Sequence, residues 1–253
     1  MNAMEQCPVC GKRGIFKQVC YDPTAVFYEC PVCGRYEYSM ENNAYEELDY
    51  NELAPFLFYE GFRNQQGRVE HRYYSTKSRE WCDTYTVEFR NDNNIAEMPV
   101  HMDQKIISLW FPKSFSQKVD MILIKLNELT EFVGQEIKLD IPSLLSCMFV
   151  RRFKLDNRET VEDKELVKQA LYMTSYLFEI GYVKGINCIN GDVSRADSYY
   201  GEISITPKGY DRIDQLQQRD NDGKDVLVAM RFGSETLKLR EAIREGIFEA
   251  GYH

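Results

Sequence analysis

Two copies of the motif Cys-Pro-Val-Cys-Gly constrain the N-terminal part of this chain more than any other feature. They occupy residues 7–11 and 30–34, with nineteen residues between Cys10 and Cys30. That spacing is typical of a site in which four thiolates bind one zinc ion. The glycine after each second cysteine tolerates the left-handed backbone that such a tight turn often needs. We therefore predict a zinc ribbon over residues 1–40, with Zn²⁺ as cofactor and these metal ligands: Cys7, Cys10, Cys30 and Cys33.

Strand and cysteine patterns complete the interpretation of this module. Residues 15–19 and 26–29 are predicted to form two strands joined by a turn. Disulfide pairing is the alternative to a metal, but a reducing compartment disfavours it. Cys20 is a rival ligand, which we interpret as a thiol packed beside a strand. Because a closed four-sulfur site leaves no position for water, the metal is predicted to be structural. The remaining cysteines have no ligand-like neighbours and are interpreted as small, partly buried thiols: Cys82, Cys147 and Cys188.

Composition limits the classes of protein to which the chain can belong. With 43% hydrophobic and 28% charged residues, its 253 residues are expected to form two or three small domains with cores of their own. The net charge of −9 argues against a surface built throughout to hold nucleic acid, although a local basic patch could still do so. No apolar run approaches the roughly 20 residues of a membrane span, and no signal-peptide core is present. We therefore expect a cytoplasmic protein that does not bind membranes.

Residues 41–111 are interpreted as a mixed connector or arm. The acidic segment 41–60 contains an apolar run at 53–59 and predicts one or two connecting helices. Segment 61–90 interleaves cations with aromatic residues, which could hold phosphates and stack on bases. The alternative is an arm whose aromatic residues belong to the core, and the interspersed acidic residues favour it. His71 and His101 have no neighbours at metal-binding spacing, so no chemistry is assigned to them.

Residues 112–219 show the pattern of a winged helix. A first helix is predicted over 114–129, from an apolar face at helical spacing. A third helix is predicted to begin at the capping-box-like residues 160–163 and to end at Gly181. Thr206-Pro207 predicts the N-cap and first position of a final helix. The other predicted elements are a strand at 135–139, a second helix at 141–149 and two wing strands at 182–189 and 199–205.

The winged-helix pattern raises the question of nucleic-acid binding. The third helix carries more acidic than basic residues, which does not favour a role in reading the major groove. The basic run before it and one wing residue are better candidates for phosphate contacts. We rate contact with a protein partner at least equal to contact with DNA. The candidate nucleic-acid-binding residues are Arg151, Arg152, Lys154 and Arg195.

Three stretches near the C-terminus carry a resemblance to a known family. They read Ile-Ser-Ile-Thr-Pro-Lys-Gly-Tyr-Asp-Arg-Ile at 203–213, Val-Leu-Val-Ala-Met-Arg-Phe at 226–232, and Leu-Arg-Glu-Ala-Ile-Arg-Glu-Gly-Ile-Phe-Glu-Ala-Gly-Tyr at 239–252. The pattern resembles prokaryotic proteins in which a winged helix precedes a domain similar to nucleoside 2-deoxyribosyltransferases and TIR domains. The resemblance implies that residues 220–253 begin an α/β domain that cleaves N-glycosidic bonds of nucleosides or NAD, in some members for anti-phage defence. In such domains the catalytic carboxylates lie downstream of the first helix, so no catalytic residue is assigned in this chain.

The sequence therefore predicts an α+β multidomain protein. It comprises a zinc ribbon, a helical connector, a winged helix-turn-helix and a partial α/β segment. The ribbon and winged helix are interpreted as a sensing or tethering region for nucleic acid or a protein partner, in a chain expected to form a homo-oligomer. The alternative is a non-enzymatic, zinc-containing, winged-helix DNA-binding regulator, whose terminal β-α piece serves only as a dimer contact. A third possibility is that this piece is a short appendage docked on the preceding domain.

Overall fold

The fold was analysed in a computed structural model of the chain. It describes residues 5–21, 24–40, 45–63, 71–91, 97–154, 161–185 and 199–220, together with residues 239, 242, 243 and 246. Within these residues the chain forms seven helices, a six-stranded sheet and a three-stranded sheet. The predicted α+β class is therefore confirmed. None of the helices in the described ranges is long and apolar enough to cross a membrane.

The N-terminal part of the six-stranded sheet is a meander of four antiparallel strands. These are β1 (Glu5–Gln6), β2 (Arg13–Tyr21), β3 (Thr24–Cys30) and β4 (Gly34–Ser39). Both strands predicted in this region are confirmed and are longer than predicted. In β3, Ala25 and Phe27 are buried while Thr24 and Val26 are more exposed, as expected for a strand with one covered face; Cys30, on the opposite face at the end of the strand, is buried among the motif cysteines.

Two further strands continue this sheet into the segment that the sequence suggested was a connector. Helix α1 (Tyr50–Glu60) leads to β5 (His71–Ser75), and α2 (Arg79–Asn91) leads to β6 (Glu97–His101). Strand β5 pairs parallel with β4, and β6 pairs parallel with β5. The helix predicted within 41–60 is confirmed as α1. The sheet thus runs without a break across residue 40.

The aromatic side chains of segment 61–90 that the structure describes are buried or half-buried. Tyr73 is buried against Phe27, with ring centroids 5.4 Å apart. Two cations of the segment are engaged within the protein, because Arg63 donates to backbone carbonyls and Lys77 forms a buried ion pair. Tyr73, Arg63 and Lys77 therefore pack within the protein, as the alternative interpretation of this segment predicted.

The second half of the chain surrounds the three-stranded sheet, in which β9 (Tyr199–Ile205) lies between β7 (Ile137–Asp140) and β8 (Val183–Lys184). Ser114 begins the first long helix through a capping box with Gln117, and Asp140 caps the short helix after β7. In chain order the elements are α3 (Gln104–Trp110), α4 (Phe115–Glu128), β7 (Ile137–Asp140), α5 (Ile141–Cys147), α6 (Asp163–Glu179), β8 (Val183–Lys184), β9 (Tyr199–Ile205) and α7 (Pro207–Asp220).

The predicted end of α6 and start of α7 agree with the structure, whereas the predicted start of α6 does not. The capping box proposed at 160–163 is wrong, because α6 begins at Asp163 and its N-cap, Glu162, makes no side-chain cap bond. The backbone N–H of Val161 instead donates to the carbonyl of Arg152 at 2.8 Å, and this bond holds Val161 outside the helix. The α6 stop at Gly181 is confirmed by a φ of 78°. The predicted Thr206 cap is confirmed by a 3.1 Å bond from the N–H of Gly209 to its hydroxyl.

Both halves share one hydrophobic core. Leu57 of α1 and Leu123 of α4 belong to the same contiguous set of buried residues. Polar bonds reinforce the junction, because the Tyr59 hydroxyl donates to the carbonyl of Cys147 at 2.8 Å. Asn51 and Phe153 exchange two bonds, one in each direction, at 3.2 and 2.9 Å. The six-stranded sheet and the second half are therefore in direct contact through α1 and α5.

Candidate metal centre

The two Cys-Pro-Val-Cys-Gly motifs form matching turns at one end of the six-stranded sheet. The first joins β1 to β2, and the second joins β3 to β4. In the first turn, the N–H of Gly11 donates to the Cys7 carbonyl at 2.9 Å. Gly11 and Gly34 have φ values of 76° and 75°, which residues with a Cβ adopt only at a cost. The left-handed position predicted from each glycine is confirmed.

The four motif cysteines converge on one point. Their Sγ atoms all lie within 4.8 Å of one another, and all four side chains are buried. Cys10 and Cys30 are 3.5 Å apart, and Cys7 and Cys33 are 3.9 Å apart. Sulfur atoms bound tetrahedrally to one ion at about 2.3 Å lie about 3.8 Å apart. The separations thus fit a shared metal ion and are far longer than a disulfide bond.

The electrostatics of the cluster also favour a cation. Burial raises the pKa of the Cys10 and Cys33 thiols well above the ordinary value. The Tyr36 hydroxyl lies 3.0 Å from the Cys7 sulfur, and burial keeps its pKa well above the usual range. This hydroxyl therefore remains protonated and can donate to the sulfur. Four buried thiols can lose their protons together only if a positive ion compensates the charge, so the cluster could hold a metal ion.

An arginine holds the valine carbonyl of each motif. Arg152 donates from Nη1 to the carbonyl of Val9 at 3.2 Å. Arg63 donates to the carbonyl of Val32 from Nη2 at 2.5 Å and from Nε at 3.1 Å. The two carbonyls occupy the same position in the two motifs. Both guanidinium groups thus place positive charge beside a site that would carry negative charge when four thiolates bind a divalent ion.

Sequence reasoning missed the role of these two arginines. Arg63 lies 31 residues from Val32, and Arg152 lies 143 residues from Val9. No local spacing links either pair. The single available signal was that both motifs present an equivalent carbonyl, which does not identify a donor.

Gly11 permits the close approach of Arg152 to the first motif. A Cβ on Gly11 would lie 2.5 Å from Nη2 of Arg152. The first turn is also tied to α5, because Lys12 forms a 2.7 Å ion pair with Asp140. Although burial opposes it, hydrogen bonds from Lys12 and Ser143 lower the pKa of Asp140. The first cysteine turn therefore has two direct polar links to the second half of the chain.

The predicted phosphate-binding residues lie in different environments. Arg151 is exposed, and its backbone exchanges two hydrogen bonds with the Gln169 amide. Arg152 is half-buried against the first motif. Lys154 is exposed, and Arg195 lies outside the described residues. The structure therefore brings Arg152 to the first turn of the four-cysteine cluster and leaves Arg151 and Lys154 on the surface.

The remaining cysteines give a partial test of the earlier interpretation. Cys82 and Cys147 are buried outside the cluster, and burial raises their pKa values to about 11 and about 12. The interpretation of these two as packed thiols therefore fits. Cys188 and the side chain of Cys20 lie outside the described part of the chain, so the role of Cys20 stays a prediction.

The adjacent arginines offer a matched test of the link between the cluster and the second half. Replacing Arg152 with methionine removes the bond to Val9 but keeps most of the apolar stem. We expect a loss of about 1.5–3 kcal/mol in the free energy of unfolding, as for a hydrogen bond to a charged group. Arg151→Met should change it by less than about 0.5 kcal/mol, as an exposed position. Equal losses in urea unfolding would contradict the role assigned to Arg152.

Comparison with models of known families, with curated proteins and with solved structures found no match, so the interpretation of the site depends on its geometry.

Proposed function

We propose that the four-cysteine cluster binds zinc and that residues 1–40 form a zinc ribbon. The support is the set of four sulfur ligands, which suits zinc, and their closed arrangement in two tight turns. Four protein ligands fill a tetrahedral shell and leave no position for substrate. The ion therefore has a structural role in this proposal.

We also propose that residues 112–219 act as a winged helix. The support is the element order, in which α4, β7, α5 and α6 precede the paired strands β8 and β9. In such a unit α6 occupies the position of the helix that contacts a partner. The tip between β8 and β9, which would form the wing, lies outside the described residues.

Together these units form a zinc-stabilised sensing or tethering module. This conclusion depends on the different environments of two neighbouring arginines. Arg152 donates a hydrogen bond to the first cysteine turn, whereas the side chain of Arg151 is exposed and its backbone is bonded to Gln169 of α6. Metal binding thereby positions the loop before α6 and, through Lys12 and Asp140, the start of α5. In this proposal the metal-bound turn stabilises the position of α6, whose outer face is exposed.

A protein is the partner that the α6 surface suits better. Tyr172 and Phe178 on this helix are 67% and 54% exposed, although aromatic side chains are usually covered. The exposed charges on the helix are mixed, since Lys168 is paired with Glu165 at 2.7 Å. A helix that reads DNA would present unopposed cations or base-contacting polar groups instead.

Site-specific photo-crosslinking in the native cell tests this proposal. A photoreactive residue at Ser175, exposed on α6, is expected to give a discrete protein adduct. The same residue at Thr84, exposed on α2, serves as the control and should give none. Protein adducts at neither position, or equally at both, would refute α6 as the contact surface.

The DNA-binding regulator remains a second candidate because of Arg151 and Lys154, which are both exposed. It predicts binding to duplex DNA that weakens steeply as salt rises, since cations that contact phosphates displace counterions. Arg151→Glu tests this without the structural damage that a change at Arg152 would add. An affinity that is flat in salt and unaffected by Arg151→Glu would exclude this candidate.

The proposed nucleosidase-like segment, residues 220–253, lies almost entirely outside the described residues. Leu239, Ala242, Ile243 and Gly246 are helical, in agreement with the predicted helix, and strand 226–232 is not described. Cleavage of nucleosides or NAD therefore stays a proposal that depends on the resemblance. Measuring the intact mass and the NAD consumption of the protein isolated from its native cell tests it.

A further inference from the structure

Tyr36 lies against the four-cysteine cluster without being one of its sulfur ligands. Its hydroxyl oxygen is 3.0 Å from the Sγ atom of Cys7. Cys7 belongs to the first cysteine motif, whereas Tyr36 lies in β4, the strand that follows the second motif. The contact therefore joins a ligand from one cysteine turn to the strand that leaves the other turn.

The chemistry of a bound thiolate fixes the direction of this hydrogen bond. Cysteine binds a metal ion as a thiolate, which has lost its proton and can only accept. The Tyr36 hydroxyl has one proton to donate. Bulk water does not compete for the sulfur, since Cys7 and Tyr36 are only 1% and 0% exposed. When the cluster holds a metal ion, Tyr36 is therefore the donor and the Cys7 sulfur is the acceptor.

Neighbouring rings and strands confine the Tyr36 side chain. Its ring stacks on that of Tyr28, with centroids 5.1 Å apart and an interplanar angle of 18°, and its centroid lies 5.5 Å from that of Tyr38. Its backbone is paired with Tyr28 of β3 on one side and with Tyr74 of β5 on the other. A side chain that packing already holds loses little conformational freedom when it bonds to sulfur. The hydroxyl is thus positioned for Cys7 before a metal ion binds.

This bond makes Cys7 different from the other three cysteines. Among the residues that the structure describes, no other hydroxyl group is hydrogen-bonded to a sulfur of the cluster. Four thiolates carry more negative charge than one divalent ion neutralises, and burial makes this excess costly. A hydrogen bond from an uncharged hydroxyl withdraws electron density from one sulfur and lowers that cost.

We propose that Tyr36 is a positioning residue of the metal centre, whose hydroxyl orients the Cys7 sulfur and partly neutralises it for metal binding. This inference rests on the proposed function of the cluster as a metal site and deepens it, because it assigns a role to a residue that is not a ligand. Hydrogen-bond partners of metal ligands typically contribute roughly 10- to 100-fold to metal affinity.

Tyr36→Phe tests the proposal, because it removes the hydroxyl oxygen and keeps the ring. Zinc affinity of the full chain, measured by competition with a chromogenic chelator, is expected to fall about tenfold or more. Tyr28→Phe is the matched control, since it removes a hydroxyl from the ring stacked on Tyr36, and that hydroxyl is not bonded to any of the four described sulfurs. The control should leave the affinity unchanged.

Cobalt substitution separates the hydrogen bond from a packing effect. Co²⁺ accepts the same sulfur ligands, and its sulfur-to-metal charge-transfer band moves to lower energy when a sulfur becomes more electron-rich. We expect this band at lower energy in Tyr36→Phe than in the wild-type chain, and unchanged in Tyr28→Phe. An unchanged affinity, or a weaker affinity without a band shift, would overturn the proposal while the metal site stands. A wild-type chain that binds neither zinc nor cobalt would overturn the metal site as well.

Discussion

Replacing Cys7 and Cys30 with serine should release about one equivalent of metal and unfold the N-terminal part of the sheet. Each change removes one ligand from a different turn, so neither turn keeps two sulfurs for the ion. Structural zinc contributes on the order of 10 kcal/mol to small folds of this type. Metal content by mass spectrometry and circular dichroism during chelator titration measure the two effects.

The structure further predicts that the loss extends beyond the sheet. Arg152 and Asp140 are bonded to the first turn, so its unfolding should expose amides at the start of α5 and in the loop before α6 to hydrogen exchange. Cys82→Ser is the matched control, because Cys82 is a buried thiol outside the cluster. It should retain the metal. A double variant that keeps one equivalent of metal would refute the assigned ligands.

Replacing Lys77 with methionine should destabilise the protein by about 3–5 kcal/mol, because it leaves a buried carboxylate without its partner. Lys77 and Glu37 form a 3.2 Å ion pair, and their side chains are only 7% and 3% exposed. Ser75 also donates to Glu37, at 2.6 Å. The ammonium group lies 3.9 Å from the ring of Trp81, so the variant loses a cation–π contact as well. Urea unfolding measures the loss.

A second variant separates the charge effect from the packing effect. Adding Glu37→Gln to Lys77→Met removes the unpaired charge and should recover at least about 1 kcal/mol of the loss. A more solvent-exposed ion pair provides a comparison: the side chains of Arg212 and Asp120 are each 21% exposed. Arg212→Met should cost about 1 kcal/mol or less. Equal costs for Lys77→Met and Arg212→Met would show that burial does not govern the first pair.

Local sequence patterns predicted much of the secondary structure and of the metal site. The apolar face of α4 recurs every three or four residues, and the Thr206-Pro207 start of α7 depends on residues within one helical turn. The four cysteines were equally accessible to prediction, because the spacing within each motif already confines two sulfurs to one turn. The start of α6 was mispredicted because the capping pattern did not reveal that the backbone N–H of Val161 donates to the carbonyl of Arg152, outside the helix.

Other features required contacts between distant segments. The parallel pairing of β4, β5 and β6 joins strands separated by helices, and the apolar pattern of each strand does not specify its neighbour. The run Arg151-Arg152 read as a single basic patch in the sequence. In the fold its two side chains have different roles, since one is exposed and the other is bonded to Val9.

The sequence by itself determined which residues could ligate a metal, the α+β class and the positions of most helices, because these follow from spacing, periodicity and caps over a few residues. Only the tertiary structure decided which arginines hold the two cysteine turns and which lysine is buried in an ion pair. Those outcomes depend on burial and on bonds between residues as many as 143 positions apart. The packing of the whole core determines which side chains meet, so short-range sequence patterns do not predict these contacts.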